Sequence, residues 1–319
     1  MEEHQLLEGL NARFTVEFKS GQTTNGAYRA LVHVADETRT FIDPKSSKVY
    51  LIWAEGETEL LEDGGEVKDA NMQTFHAEVT SKEYSRKVTA KLRDLRNAAI
   101  QELKAGHVKK LGGGAEQARE RRAYDMLRKG DTMAYGACYD GQALFSESHA
   151  GADSELQPIN NQRNLFALGL AVDSVAEVVR VMTTYRNSAG ENYGNKWTPN
   201  VQADGSPAPS FKLYHGAKLA KKAAEILQLS RGAAQSVLAG TFECVQLDCL
   251  EGTFEDYWFI VFPTGQPLAM VDYGSVVIPT VGHDTEPGRN HGRAEWIART
   301  EFGLAYYEWH GIAMSKGAP

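Results

Sequence analysis

NMQTFHAEVTSKEYSRKVTAKLRDLRNAAIQELKAG, residues 71–106, changes its hydrophobic pattern partway along. Phe75, Ala77 and Val79 alternate with Thr74, His76, Glu78 and Thr80, the two-residue period of a half-buried strand. Beyond it, Ser81 or Thr80 can cap a helix start. Tyr84, Val88, Leu92, Leu95, Ala99 and Leu103 then recur at steps of three and four. That spacing predicts a helix of about five turns with one apolar stripe. Gly106 and the run Gly112-Gly113-Gly114 mark its expected end, and AEQARERRAYDMLRKG (115–130) reads as a second helix closed by Gly130.

Upstream, KVYLIWAEG (48–56) is an apolar run rich in strand-favouring residues. Asp63-Gly64-Gly65 supplies a flexible turn between it and the strand at 74–80. Together they form an extended two-stranded ribbon, which is barely stable alone and must lie on something. Residues 1–40 carry short helix-like stretches and many polar residues without a strong period, and read as an arm rather than a core element. Downstream, AVDSVAEVVRVMTTYRN (171–187) and AKLAKKAAEILQL (217–229) read as helices. SFKLYHG (210–216), FECVQLDCL (242–250) and DYWFIVF (256–262) read as strands, and residues 294–317 as a final strand pair. Two polar stretches, 187–209 and 281–293, read as loops. The class is α+β in mixed order, with no internal repeat.

The 319 residues suffice for one large or two modest domains, and 42% hydrophobic with 24% charged content is ordinary for a chain that buries a core. A net charge of −8 disfavours a dedicated nucleic-acid reader. Three cysteines, Cys138, Cys244 and Cys249, argue against a disulfide framework or a structural zinc site. Cys244 and Cys249 fall on one expected strand at an odd spacing, hence on opposite faces, and read as small buried apolar groups. MEEHQLLEGLNARF (1–14) lacks an apolar run of signal-peptide length, so no leader is expected. No window approaches the roughly 18 apolar residues of a membrane span.

CYDGQALFSESHAG (138–151) gathers a thiol, two serines, two carboxylates and a histidine. A catalytic reading needs a serine held against a histidine that a third group orients, which adjacency in sequence does not produce. The strand-to-helix pattern G-x-S-x-G is also missing. Ser146, Ser148 and His149 therefore read as a structural turn. His283, Asp284 and His291 sit in a Gly/Pro-containing loop and read as surface rather than as metal ligands. The triple glycine lacks the Lys-Ser/Thr ending of a phosphate loop and reads as a separator of helices. No catalytic residue, metal or cofactor is expected.

Charge is unevenly spread. Residues 82–129 hold 14 Lys/Arg against 6 Asp/Glu, whereas 54–70 hold seven acids against Lys68 alone. One reading is two solvated faces. The other is that the acidic ribbon tip of one copy meets the basic helix of another, since charge complementarity fixes partner and register. The interface residues then expected are Trp53, Glu57, Glu59, Leu60, Leu61, Glu62 and Asp63 on the ribbon and Arg86, Lys87, Arg93 and Arg96 on the helix.

NMQTFHAEVTSKEYS (71–85), CYDGQALFSESHAG (138–151) and IARTEFGLAYYEWHGIAMSKG (297–317), in that order, resemble the Mu-like phage major head subunit family, whose fold is the Hong Kong 97-type capsid fold. Tyr139, Asp140, Gly141, Leu144, Phe145 and His149 fit the family's middle motif, while Ser146-Glu147-Ser148 departs from its usual Asp-rich form. The resemblance implies an N-terminal arm (1–40), an extended loop (41–81), a peripheral domain on a long spine helix (82–150 with 267–319) and an axial domain (151–266). It implies a major capsid protein that self-assembles into hexamers and pentamers, forming an icosahedral shell around packaged double-stranded DNA. The DNA would be contacted non-specifically, and an acidic chain suits a container that does not hold its contents tightly. Scaffolding, portal and decoration proteins are the other implied partners, with no membrane. The implied location is the virion capsid, and the host cytoplasm during assembly. The alternatives are an encapsulin-like cellular nanocompartment shell of the same fold and a soluble hydrolase using His149.

Overall fold

The computed structural model describes residues 2–22, 27–34, 40–43, 48–56, 72–149, 162–186, 211–232, 242–262, 265–280 and 292–317. In chain order its elements begin with α1 (Glu2–Gly21), β1 (Val32–Val34), β2 (Thr40–Asp43), β3 (Lys48–Gly56), β4 (Met72–Val79), β5 (Lys82–Lys91) and α2 (Ala98–Arg128). There follow β6 (Leu165–Phe166), α3 (Val172–Met182), β7 (Phe211–His215), α4 (Ala220–Gly232), β8 (Phe242–Gln246), β9 (Trp258–Val261), β10 (Leu268–Thr280), β11 (Arg293–Tyr306) and β12 (Ile312–Ser315). Two compact units divide the chain. The first holds Met1–Arg29, Thr80–Ala123 and Met270–Leu304, and the second Ala30–Val79, Tyr124–Ala269 and Ala305–Pro319.

In the first unit, the expected helix from residue 80 is instead a strand, a 3-10 turn (Leu92–Arg96) and only then α2. The steps Tyr84–Val88–Leu92 are four residues long, and four satisfies both a strand's period of two and a helix's 3.6. Tyr84, Val88 and Thr89, aromatic or β-branched, tip that ambiguity towards strand. The strand is then fixed by ten antiparallel register pairs with β11, from Lys82↔Phe302 to Arg293↔Lys91. Val88 and Ala90 face Trp296 and Ala294 across that register and are buried. Leu92 and Leu95, three apart on a 3-10 turn, eclipse one another and are also buried. Leu103, expected in the same stripe, is 58% exposed.

The glycine run does not end α2, which continues for 31 residues through Gly112, Gly113 and Gly114. Each glycine costs such a helix roughly 1 kcal/mol relative to alanine. The helix persists because tertiary packing sustains it: Ala105, Val108 and Ala115 are buried along one side.

The polar arm is a correction too. α1 spans Glu2–Gly21, and Leu7, Leu10, Phe14 and Phe18, at steps of three and four, join the unit's core with Leu92, Leu95, Val108 and Trp296. Phe14 meets the Trp296 ring edge-on at 4.6 Å, and the indole N–H donates to Asn11 Oδ1 at 3.0 Å. Beside β11 lie β5 on one side and β10 on the other.

The second unit holds the ribbon and a five-stranded sheet ordered β6-β12-β9-β7-β8. The ribbon is antiparallel, Val49↔Val79 to Gly56↔Met72, with β2 added beside β3. In the sheet, β7 and β8 run parallel with α4 between them in sequence, a single βαβ unit. β9 is buried at every position, Trp258 to Val261, as an apolar run between two strands requires. α3 buries Val175, Val178, Val179 and Met182, the stripe its sequence predicts. The expected terminal strands form but do not pair together: β12 lies between β6 and β9, while β11 pairs with β5. Cys249 falls in a turn after β8 rather than on the strand, and both it and Cys244 are half-buried. The expected loops at 187–209 and 281–291, with His283, Asp284 and His291, lie outside the described residues.

Candidate subunit interface

The structure distributes the predicted interface residues differently from the sequence reading. Trp53 falls on β3, but its side chain lies outside the described residues, as do Glu57, Glu59, Leu60, Leu61, Glu62 and Asp63. Arg86, Lys87, Arg93 and Arg96 are all exposed, but the four do not share one helix face. Arg86 and Lys87 are neighbours on β5 and point to opposite faces. Lys87 bonds Glu295 at 3.2 Å. Arg93 and Arg96 sit on the 3-10 turn, and Arg93 leans on Asp94 at 3.1 Å.

Within the first unit a groove of about 500 Å³ lies beside β5 and α2, lined among others by Phe18, Tyr84, Arg86, Lys110, Leu111 and Arg121. Tyr84 is stacked on Phe302 at 5.0 Å, which turns its ring along the strand face. Arg299 also borders the groove and is tied to Glu83 at 3.4 Å. The groove thus offers apolar walls with cations from β5 and α2. Lys110 and Arg121 were not singled out in sequence, because their convergence with Arg86 depends on α2 running unbroken through the glycines. The unit carries 18 Lys/Arg against 14 Asp/Glu, a balance of +4, and the remaining 16 against 28 leave −12.

Elsewhere on α2, a charged network through Glu116 and Arg119 ties the unit together. Tyr28 donates to Glu116 Oε2 at 2.8 Å, and Arg29 donates to Glu116 Oε1 at 2.8 Å. Burial, then the Glu116 hydrogen bond, pushes the Tyr28 phenol up to about 12. Arg119, 3% exposed, donates to Asp272 at 2.8 Å and to Ser275 at 2.9 Å. Its guanidinium also lies 5.5 Å from the Phe302 ring centre.

The serine-histidine stretch in the second unit is the packed turn its sequence suggests. His149 is buried, its Nδ1 2.6 Å from Asp140 Oδ2 and its Nε2 3.0 Å from Asn164 Oδ1. Its ring stacks on Trp309 at 4.0 Å with an interplanar angle of 4°. Ser146 Oγ accepts the Ser148 N–H instead of facing the imidazole. Both ring nitrogens are engaged by Asp140 and Asn164, so the histidine is not placed as a base for either serine. Burial, then the Asp140 charge, drives the Cys138 thiol well above its ordinary value, which disfavours the reactive thiolate. Asn164 and Trp309 carry this turn from distant parts of the chain, and no local pattern announced them. Among the described residues no group of three or more His, Cys, Asp or Glu is placed to hold a metal, and no helix is long and apolar enough to cross a membrane.

No curated protein matches the chain. Among solved structures, one from Mycobacterium phage Patience is similar with a TM-score of 0.53 at 13% identity, covering 96% of this chain and 88% of that one. A procapsid structure of bacteriophage JBD30 is similar with a TM-score of 0.47 at 14% identity, covering 98% of this chain and 75% of the other. At such identity the Patience likeness carries the fold alone, and the α+β architecture is of the Hong Kong 97 capsid type. The model of the family described as Mu-like prophage major head subunit gpT matches residues 7–166, half of the chain, from the first buried leucine of α1 to the end of β6. The chain belongs to the Mu-like prophage major head subunit family and is a major capsid protein of a phage shell.

Proposed function

We propose that this head subunit assembles as hexamers and pentamers into an icosahedral shell around double-stranded DNA, and that an acidic segment of one copy docks on the basic unit of the next. The observation that carries the docking is the exposed groove with Arg86, Lys110 and Arg121, set against the seven acids and one lysine of residues 54–70. β3 ends at Gly56 and β4 begins at Met72, and most of that acidic sequence lies between them in the chain. A heterologous contact of this kind, repeated by rotation, closes rings. In this reading 41–81 is the extended loop, 82–150 with 267–319 the peripheral domain and 151–266 the axial domain, and α1 belongs with the peripheral core instead of an arm. The shell is a container and not an enzyme, built in the host cytoplasm with scaffolding, portal and decoration partners.

Electron microscopy of the purified protein, with nuclease-protected DNA measured in the particles, tests this reading. Closed shells or rings that lose subunits as salt rises are expected. A sharp monomer across a wide concentration range would remove the capsid assignment. Shells filled with an enzyme and free of DNA would favour the nanocompartment.

A further inference from the structure

The hydrogen bonds around Asn164 fix which way its amide points. The Nδ2 group faces three carbonyl oxygens, Leu144 at 2.8 Å, Trp309 at 3.3 Å and Ile312 at 3.3 Å. Its Oδ1 accepts the Ser146 N–H at 2.9 Å. Turning the amide over would set an oxygen against three oxygens and an NH2 against an N–H. Asn164 Oδ1 is therefore an acceptor, and His149 Nε2, 3.0 Å away, has to donate to it.

The other ring nitrogen faces a carboxylate. Nδ1 lies 2.6 Å from Asp140 Oδ2, shorter than an ordinary N–H···O bond, and Asp140 Oδ1 accepts the Gln142 N–H at 3.1 Å. An anionic Asp140 only accepts, so Nδ1 carries a hydrogen as well. A neutral imidazole has one N–H and cannot serve both partners. The parallel Trp309 indole at 4.0 Å presents its π face to the ring, which favours positive charge there. Around this pair lie Cys138, beside Asp140, and His310 and Tyr185, both against the Trp309 ring. Tyr139 reaches His310 Nδ1 at 3.5 Å, and Glu308 lies 4.0 Å from the same nitrogen. None of these stands between His149 and its two partners.

We infer that Asp140 and His149 form a proton-held latch, an imidazolium–carboxylate pair that fastens the 138–149 turn to Asn164 and, through it, to the C-terminal segment at Trp309 and Ile312. Removing the second proton leaves one ring nitrogen facing an oxygen lone pair, either at Asp140 or at Asn164. Base thus loosens the turn and the C-terminal strand that Asn164 holds by accepting the Met314 N–H at 2.9 Å. The sign follows from proton counting. If the native state holds one proton more than the unfolded chain above about pH 7, stability falls as pH rises.

Magic-angle-spinning NMR of the assembled protein, labelled with 15N-histidine, reads the protons directly. His149 is told apart from His310, which also packs on the Trp309 ring, by its proximity to the Asp140 and Asn164 side chains, without any variant. Two N–H signals from the His149 ring at pH 7.5 are expected, and a bare ring nitrogen overturns the latch. A second measurement compares the wild-type subunit with the Asp140→Leu/His149→Phe double variant. Just above pH 7 the wild-type unfolding equilibrium constant should climb about tenfold more per pH unit than that of the double variant, one proton's worth. Equal slopes overturn the latch as well. Should the double variant fail to fold, the NMR result alone decides.

Discussion

Gly21 and Gly112 meet where α1 comes against α2. A Cβ on Gly112 would sit 2.1 Å from the Phe18 carbonyl oxygen, and one on Gly21 would sit 2.1 Å from that of Lys109. Backbone presses on backbone, and no side-chain movement relieves a clash there. Two positions along, Gly114 is exposed with nothing within 4 Å of its would-be Cβ. Gly112→Ala is expected to destabilise the subunit by about 1–3 kcal/mol or more through forced separation of the helices. Gly114→Ala is expected to stabilise it by up to about 1 kcal/mol through helix propensity. Denaturant midpoints of the two variants check the contrast. Equal effects would show that the glycines are mere helix weakeners.

Leu95 and Leu103 separate the strand-and-turn arrangement from a continuous helix. Leu95 is fully buried in the core under α1, whereas Leu103 is 58% exposed on α2. Leu95→Ala should cost about 2–5 kcal/mol. Leu103→Ala should stay within about 0.5 kcal/mol, as surface changes do. Melting temperatures of both variants decide. A large loss at Leu103 would restore the single stripe.

These residues also mark how far the sequence could be read. The ribbon, α3, α4 and the buried β9 carry a clear period or a short apolar run rich in strand-favouring residues, and were legible. Residues 82–91 were not, because apolar steps of four fit a strand and a helix equally, and only pairing with β11 chooses. The triple glycine misled because local propensity argues for a break, while the need for close approach at Gly112 is a property of two helices. α1 escaped notice because Leu7, Leu10, Phe14 and Phe18 lie among many charges. Of the candidate interface, the opposite charges were legible in composition. Which cations converge was not, since Arg86, Lys110 and Arg121 share a groove only after folding. The turn at His149 was legible as structure, but its partners Asn164 and Trp309 are not local.

Tyr28 gives the first unit an alkaline limit. Its phenol, an ordinary tyrosine near 10 when unfolded, is pushed up to about 12 by burial and then by the hydrogen bond to Glu116. The folded chain therefore holds a proton that the unfolded chain has released between those values. The contribution is complete below about pH 10 and is lost as pH rises towards about 12. Tyr28→Phe should flatten the fall in stability over that window while lowering stability at neutral pH, where Glu116 loses a donor. Unfolding midpoints at pH 8, 10 and 11 check it. An unchanged slope would mean that Tyr28 titrates alike in both states.

Docking of a neighbour's acidic segment makes the sharpest demand. Each exposed ion pair contributes only about 0–1 kcal/mol, so the proposed docking would need several pairs repeated around a ring. Salt should weaken it, since the Debye length falls from about 10 Å at 0.1 M to about 3 Å at 1 M. Glu59→Lys with Glu62→Lys is expected to block particle formation at low salt while leaving the subunit's melting temperature unchanged. Two sets of cations compete as the receiving surface, Arg86 with Lys110 and Arg121 in the groove and Arg93 with Arg96 on the 3-10 turn. In the proposed docking, the groove is the expected receiver. It joins charge to the apolar walls of Phe18 and Leu111, whereas Arg93 already leans on Asp94. Adding Arg86→Glu and Arg121→Glu to the reversed segment should therefore restore assembly, and adding Arg93→Glu and Arg96→Glu should not. Rescue by the turn pair alone would move the docking place to the 3-10 turn. If the reversed segment assembles normally at low salt, charge is incidental, and Trp53, Leu60 and Leu61 hold the ribbon by apolar contact.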